Sequence, residues 1–112
     1  MEIEMDAMEI LKHVDHTQLK AVAPWEEIEK LCDEAIRYGT ASVCIPPCYV
    51  KRVKEVYGDR LTVCTVVGFP LGYSVTQAKL AETEQALLDG AEEIDIVINL
   101  TDVKNGFFDR VE

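Results

Sequence analysis

The chain has 112 residues, 48% of them hydrophobic, and carries 21 acidic against 11 basic side chains for a net charge of −10. That length allows one domain, residues 1–112, with a modest core, and that apolar share argues against disorder. A uniformly acidic chain repels phosphate backbones, which argues against nucleic-acid binding, although a small phosphate ester can still be held by local backbone N–H groups or a few lysines.

The first residues, Met1 to Asp6, are acidic and lack the basic-then-apolar form of a signal peptide. No apolar run approaches the roughly 20 residues that span a bilayer. The expectation is a soluble, cytoplasmic protein with no membrane partner. A short leading helix is predicted over 4–12, and a first strand over 13–17, where His13, Asp15 and Thr17 share a face. Pro24 suits a helix start. Trp25, Ile28, Leu31, Cys32 and Ala35 then recur at helical spacing, and Gly39 follows as a C-terminal cap.

Residues 41–45 form a short apolar run, with Ser42 and Cys44 on one face and Val43 and Ile45 on the other. A second helix is predicted over 47–57, closed by Gly58 and Asp59. Residues 61–67 are β-branched and apolar, as in a strand buried on both faces. A loop runs from Gly68 to Tyr73. Ser74 and Gln77 have capping-box spacing for a helix over 75–89, and Gly90 caps its end. The fourth strand is predicted over 93–99. It places Ile94, Ile96 and Ile98 on one face and Glu93, Asp95, Val97 and Asn99 on the other. Residues 102–106 read as a connection, and the pattern stops inside the opening turns of a fourth helix.

Strands alternating with helices imply parallel β-structure. Two architectures accept this pattern: an open doubly wound sheet, which would suit an anion-binding module, or part of a (β/α)₈ barrel. The strand faces favour the barrel. A mid-strand Asp95 is costly against a helix layer but suits a lumen whose site lies at the C-terminal ends of the strands. The fold class expected is therefore α/β, four βα units of a TIM (β/α)₈ barrel, an N-terminal half-barrel. Cys32, Cys44, Cys48 and Cys64 include no C-x-x-C pair and read as small hydrophobes in a reducing compartment, with no metal site.

Four blocks carry a resemblance. His13-Val14-Asp15-His16-Thr17-Gln18-Leu19-Lys20, the run Ala41 to Val50, the run Val63 to Gly72 and the run Gly90 to Asn99 closely resemble, in order, the first half of the deoxyribose-phosphate aldolase family. The resemblance implies a class I aldolase, a carbon–carbon lyase that reversibly cleaves 2-deoxyribose 5-phosphate to acetaldehyde and glyceraldehyde 3-phosphate. A lysine Schiff base serves as the electron sink, so no cofactor or metal is implied. Residue by residue, Asp95 matches the family's proton-transfer aspartate. Asp15 and Thr17 match polar residues near the substrate hydroxyls, Cys44 a cysteine at the mouth of the second strand, and Phe69 a pocket-shaping position. Each also has a plainer reading: Asp15 as a capping carboxylate, Thr17 as a strand end, Cys44 and Phe69 as packing. The family's imine-forming lysine, on its sixth strand, has no counterpart here. The chain's lysines read as solvated surface charges, with Lys20 and Lys104 nearest the strand ends. The expected partners are a small phosphorylated sugar in the complete enzyme, a second copy in a homo-oligomer, or the C-terminal half of the barrel. The isolated chain is expected to be inactive. The alternative is a non-catalytic half-barrel that acts as an assembly module.

Overall fold

The computed structural model describes residues 6–112. Asp6 caps the leading helix α1 (Ala7–Leu11), its side chain accepting from the Met8 N–H at 3.2 Å. The first two residues of the helix predicted over 4–12 lie outside the described residues. Four parallel strands follow: β1 (Asp15–Thr17), β2 (Ser42–Ile45), β3 (Val63–Val67) and β4 (Glu93–Ile96). They are joined by α2 (Trp25–Tyr38), α3 (Val50–Tyr57) and α4 (Thr76–Asp89). Two short helices close the chain, α5 (Leu100–Lys104) and α6 (Phe108–Val111).

The strands lie in the order β1-β2-β3-β4. A doubly wound sheet reverses its strand order at a switch point, whereas barrel strands advance one by one. The sequential order therefore selects barrel-type winding. Pairing runs Asp15 to Ser42, Cys44 to Cys64 and Val66 to Asp95. Because side chains alternate, this register aligns one face across the whole sheet.

The two faces differ in chemistry. Val43, Ile45 and Val63 point to the helices and meet Ile28, Leu31, Cys32 and Ala35 of α2 and Val50 and Val53 of α3 in one buried cluster. Tyr57 closes its edge: its hydroxyl donates to Asp33 Oδ1 at 2.9 Å, so the buried polar tip is satisfied. The opposite face holds a smaller cluster of Cys44, Cys64 and Val66, with Leu19 against it. The sorting of Ser42 and Cys44 from Val43 and Ile45 is as the sequence implied, and β3 is buried along its whole length. Gly39 and Gly90 end α2 and α4 in left-handed conformations, as expected of helix-capping glycines.

Three boundaries differ from the sequence reading. The first strand starts at Asp15, because His13 and Val14 are turned back onto Ile10 and Leu11 by backbone hydrogen bonds. The fourth strand ends at Ile96, three residues early. Asn99 serves as the N-cap of α5, its Oδ1 accepting from the Asp102 N–H at 3.1 Å, so part of the expected connection is helix. The Ser74–Gln77 capping box does not form: Val75 is the N-cap of α4 and no side chain caps it.

Burial also sorts the cysteines. Cys32, Cys44 and Cys64 are buried and Cys48 is exposed. Burial, reinforced by Asp33 and Glu29, pushes the Cys32 thiol up to about 12. Thiolate is the reactive form. Iodoacetamide treatment of the folded chain near neutral pH should therefore modify Cys48 alone, and all four cysteines only after unfolding. Peptide mass mapping reads the result, and rapid labelling of Cys44 or Cys64 in the folded chain would contradict the buried second face.

Candidate active site

The second face of the sheet gathers the chain's unusual polar groups. Asp15 extends from β1, and its Oδ1 accepts from the Ser42 hydroxyl on β2 at 2.6 Å. Ser42 is almost fully buried, so this bond satisfies its polar atom. Cys44 Sγ, Cys64 Sγ and a carboxylate oxygen of Asp95 lie within 4.8 Å of one another, from three adjacent strands. Burial raises the Cys44 thiol above its ordinary range. A hydrogen bond with Cys64 opposes this, while the negative charges of Asp95, Asp15 and Glu93 add to it. Cys64 is raised too, first by burial and then by Cys44, with Asp95 and Glu93 adding smaller contributions. The face is thus a small apolar floor of sulfur and valine under a rim of carboxylates.

Above the C-terminal ends of β1 to β3 lies a cleft of about 560 Å³, lined among others by Leu19, Lys20, Pro46, Val66, Phe69 and Pro70. Phe69 forms part of the cleft wall and is 46% exposed. Its loop is anchored from α4 at both ends. Glu82 Oε1 accepts from the Gly68 N–H at 2.7 Å, and Lys79 Nζ donates to the Gly72 carbonyl at 2.7 Å and to the Val97 carbonyl at 2.9 Å. A further backbone bond from the Gly72 N–H to the Gly68 carbonyl closes the turn.

Of the residues singled out from sequence, the structure brings Asp15, Cys44 and Asp95 to one face and sets Phe69 at its mouth. Thr17, the register partner of Cys44, lies on the same face, and its hydroxyl donates to the Asp15 backbone carbonyl at 2.7 Å. Sequence reasoning missed Lys79. It is no solvated surface charge but a tie between the β3–α4 loop and the chain just after β4. Lys54 was missed in the same way, since it donates to Glu92 at 2.6 Å and to the Gly58 carbonyl at 3.1 Å. Lys20 lines the cleft. Among the described residues no lysine belongs to a strand. No described helix is long and apolar enough to cross a membrane.

Known proteins resemble this chain over nearly its whole length. The model of the DeoC/LacD family aldolases matches residues 3–107. Deoxyribose-phosphate aldolases of two Clostridium botulinum strains are 64% identical over 107 residues, 96% of this chain and 48% of theirs. That of a Streptococcus pyogenes strain is 56% identical over 108 residues. Among solved structures, an aldolase called QR15 superposes with a TM-score of 0.86 at 36% identity, over 92% of this chain and 46% of that one. The tetrameric deoxyribose phosphate aldolase from Aeropyrum pernix superposes with a TM-score of 0.80 at 30% identity, over 84% of this chain and 41% of its own. The chain spans about half the length of the curated relatives it matches. It belongs to the DeoC/LacD aldolase family, and its fold is four βα units of that family's barrel.

Proposed function

We propose that this chain supplies the first four βα units of a deoxyribose-phosphate aldolase, a Schiff-base lyase that cleaves 2-deoxyribose 5-phosphate to acetaldehyde and glyceraldehyde 3-phosphate. The observation that carries the reading is the single polar face on which Asp15, Cys44 and Asp95 converge below the Phe69 cleft, in a chain of this family. In it Asp95 moves a proton to and from the substrate, since a carboxylate at the inner surface of a barrel is placed for general acid–base work. Asp15, oriented by Ser42, holds a substrate hydroxyl. Phe69, fixed by the anchored loop, limits the pocket, and Cys44 forms its floor. Thr17, whose hydroxyl hydrogen goes to the Asp15 carbonyl, keeps its oxygen lone pairs free to accept from a substrate hydroxyl.

The imine-forming lysine comes from outside these 112 residues. Lys79 is spent on two carbonyls and Lys54 on Glu92, and Lys20, which lines the cleft, belongs to no strand. Treated with acetaldehyde and borohydride, the isolated chain is expected to carry no stoichiometric adduct at any single lysine, and to show no retro-aldol turnover. A stoichiometric adduct at one lysine, read by mass mapping, would overturn that assignment.

The protein works in the cytoplasm on a small phosphorylated sugar and not on nucleic acid or membranes. Its partners are a second copy of the chain or the remaining half of the barrel. Support comes from the two outer strands, β1 and β4, each with a strand neighbour on one side only. Around β4, Leu80, Leu88, Ile96, Leu100 and Phe108 are each more than half exposed. Open strand edges beside exposed apolar side chains drive association. Sedimentation at micromolar concentration should find the isolated chain as a dimer or larger. A cooperative, well-folded monomer would show that this surface needs no cover.

A further inference from the structure

We propose that Lys79 is a positioning residue for the aldol site: it holds the Phe69 wall in place relative to the end of β4 and so sets which carbonyl donors the pocket admits. The proposal deepens the aldolase reading and rests on it.

The wall is a loop, and its polar hold on β4 runs through one side chain. Lys79 lies near the start of α4, and its stem passes against Gly68, where an added Cβ would come to 3.0 Å from Lys79 Cε. Its ammonium donates to the Gly72 carbonyl, three residues beyond Phe69, and to the Val97 carbonyl, two residues beyond Asp95. Among the described residues no hydrogen bond passes directly between residues 68–73 and residues 93–99, so Lys79 is the polar link between them. Glu82 ties the loop to α4, and the Gly72–Gly68 backbone bond closes its turn, but neither reaches β4. A methionine at position 79 keeps most of the stem and loses every donor.

Selectivity follows from what the two tied segments carry. Asp95 moves a proton at the carbon next to the imine, and that carbon bears the extra methyl when propanal replaces acetaldehyde. Val66, the register partner of Asp95, lines the cleft together with Phe69 and Pro70, so the added methyl meets that wall. A hydrophobic pocket discriminates one methylene by roughly 10–200-fold. A wall that can recede loses that discrimination, and a misplacement of about 1 Å between wall and acid also slows the chemical step.

The test mixes the chain with a fragment carrying the remaining βα units and assays condensation of glyceraldehyde 3-phosphate with either acetaldehyde or propanal. The readout is the ratio of the two kcat/KM values, from which the amount of folded enzyme cancels. Lys79→Met should lower the preference for acetaldehyde by about tenfold. Lys79→Arg, which keeps a charged donor on a long stem, should stay within about threefold of the parent. In the chain alone, amide exchange at Gly72 and Val97 should quicken together by about tenfold in Lys79→Met, while Gly68, held by Glu82, stays as in the parent. Turnover by the parent mixture reports on the aldolase reading separately, and without it both that reading and this proposal fall. With parent turnover, an unchanged ratio in Lys79→Met overturns this proposal alone, as does a Lys79→Arg ratio as low as that of Lys79→Met. Exchange quickened at Gly68 and throughout the sheet would also overturn it, because Lys79 would then be a scaffold residue.

Discussion

Gly72→Ala is expected to destabilise the chain by about 3–4 kcal/mol, the sum of a left-handed backbone imposed on alanine and an overpacked contact. Gly72 has φ 75°. An added Cβ would overlap the Ile98 carbonyl oxygen and meet Val97 Cγ1 at 2.8 Å. Neither neighbour can move freely, because the Val97 carbonyl accepts from Lys79 and the Val97 N–H donates to the Val67 carbonyl at 3.0 Å. Gly106 is the internal control. Its φ is 77°, yet nothing lies within 4 Å of its Cβ position. Gly106→Ala should therefore carry the backbone cost alone, about 1–2 kcal/mol. Urea denaturation of the two variants separates the effects, and equal losses would mean that the β3–α4 loop does not lie against the chain after β4.

Asp95→Asn should lower turnover of the completed barrel by about 10²–10⁴-fold, the usual contribution of a positioned acid–base group. Its KM should change little, because proton transfer is realised in the transition state and not in substrate binding. Stability should move by no more than about 0.5 kcal/mol. The Asp95 side chain is exposed and makes no hydrogen bond among the described residues, so no structural partner is orphaned. That combination distinguishes a chemical role from a structural one. A large loss of stability with near-normal turnover would make Asp95 a scaffold residue.

The periodicities in the sequence carried the alternation of strands and helices and the division of each strand into two faces. Val43 and Ile45 against Ser42 and Cys44 could be sorted because strand alternation is geometric and survives any tertiary context. The chain's end was less legible. Asn99 fits the alternation of β4, but its amide is worth more at a helix start, where an unpaired backbone N–H awaits an acceptor, and that preference ends the strand early. Lys79 was misread for a related reason. On helical spacing it is a surface residue, but its four-carbon stem reaches two carbonyls at the ends of neighbouring segments, a contact with no local signature. Cys44, Cys64 and Asp95 are 20 and 31 residues apart in order, so no spacing rule links them. Only the strand register brings them onto one face of three neighbouring strands.

The central claim is that this inner face is half of an aldolase site. The most direct measurement mixes the chain with a separately produced fragment carrying the remaining four βα units of a DeoC-family aldolase, and assays cleavage of 2-deoxyribose 5-phosphate. Turnover should appear only in the mixture and collapse when the chain carries Asp95→Asn. A mixture that forms a stable complex yet stays inactive, or one in which Asp95→Asn works as well as the parent, would contradict the account.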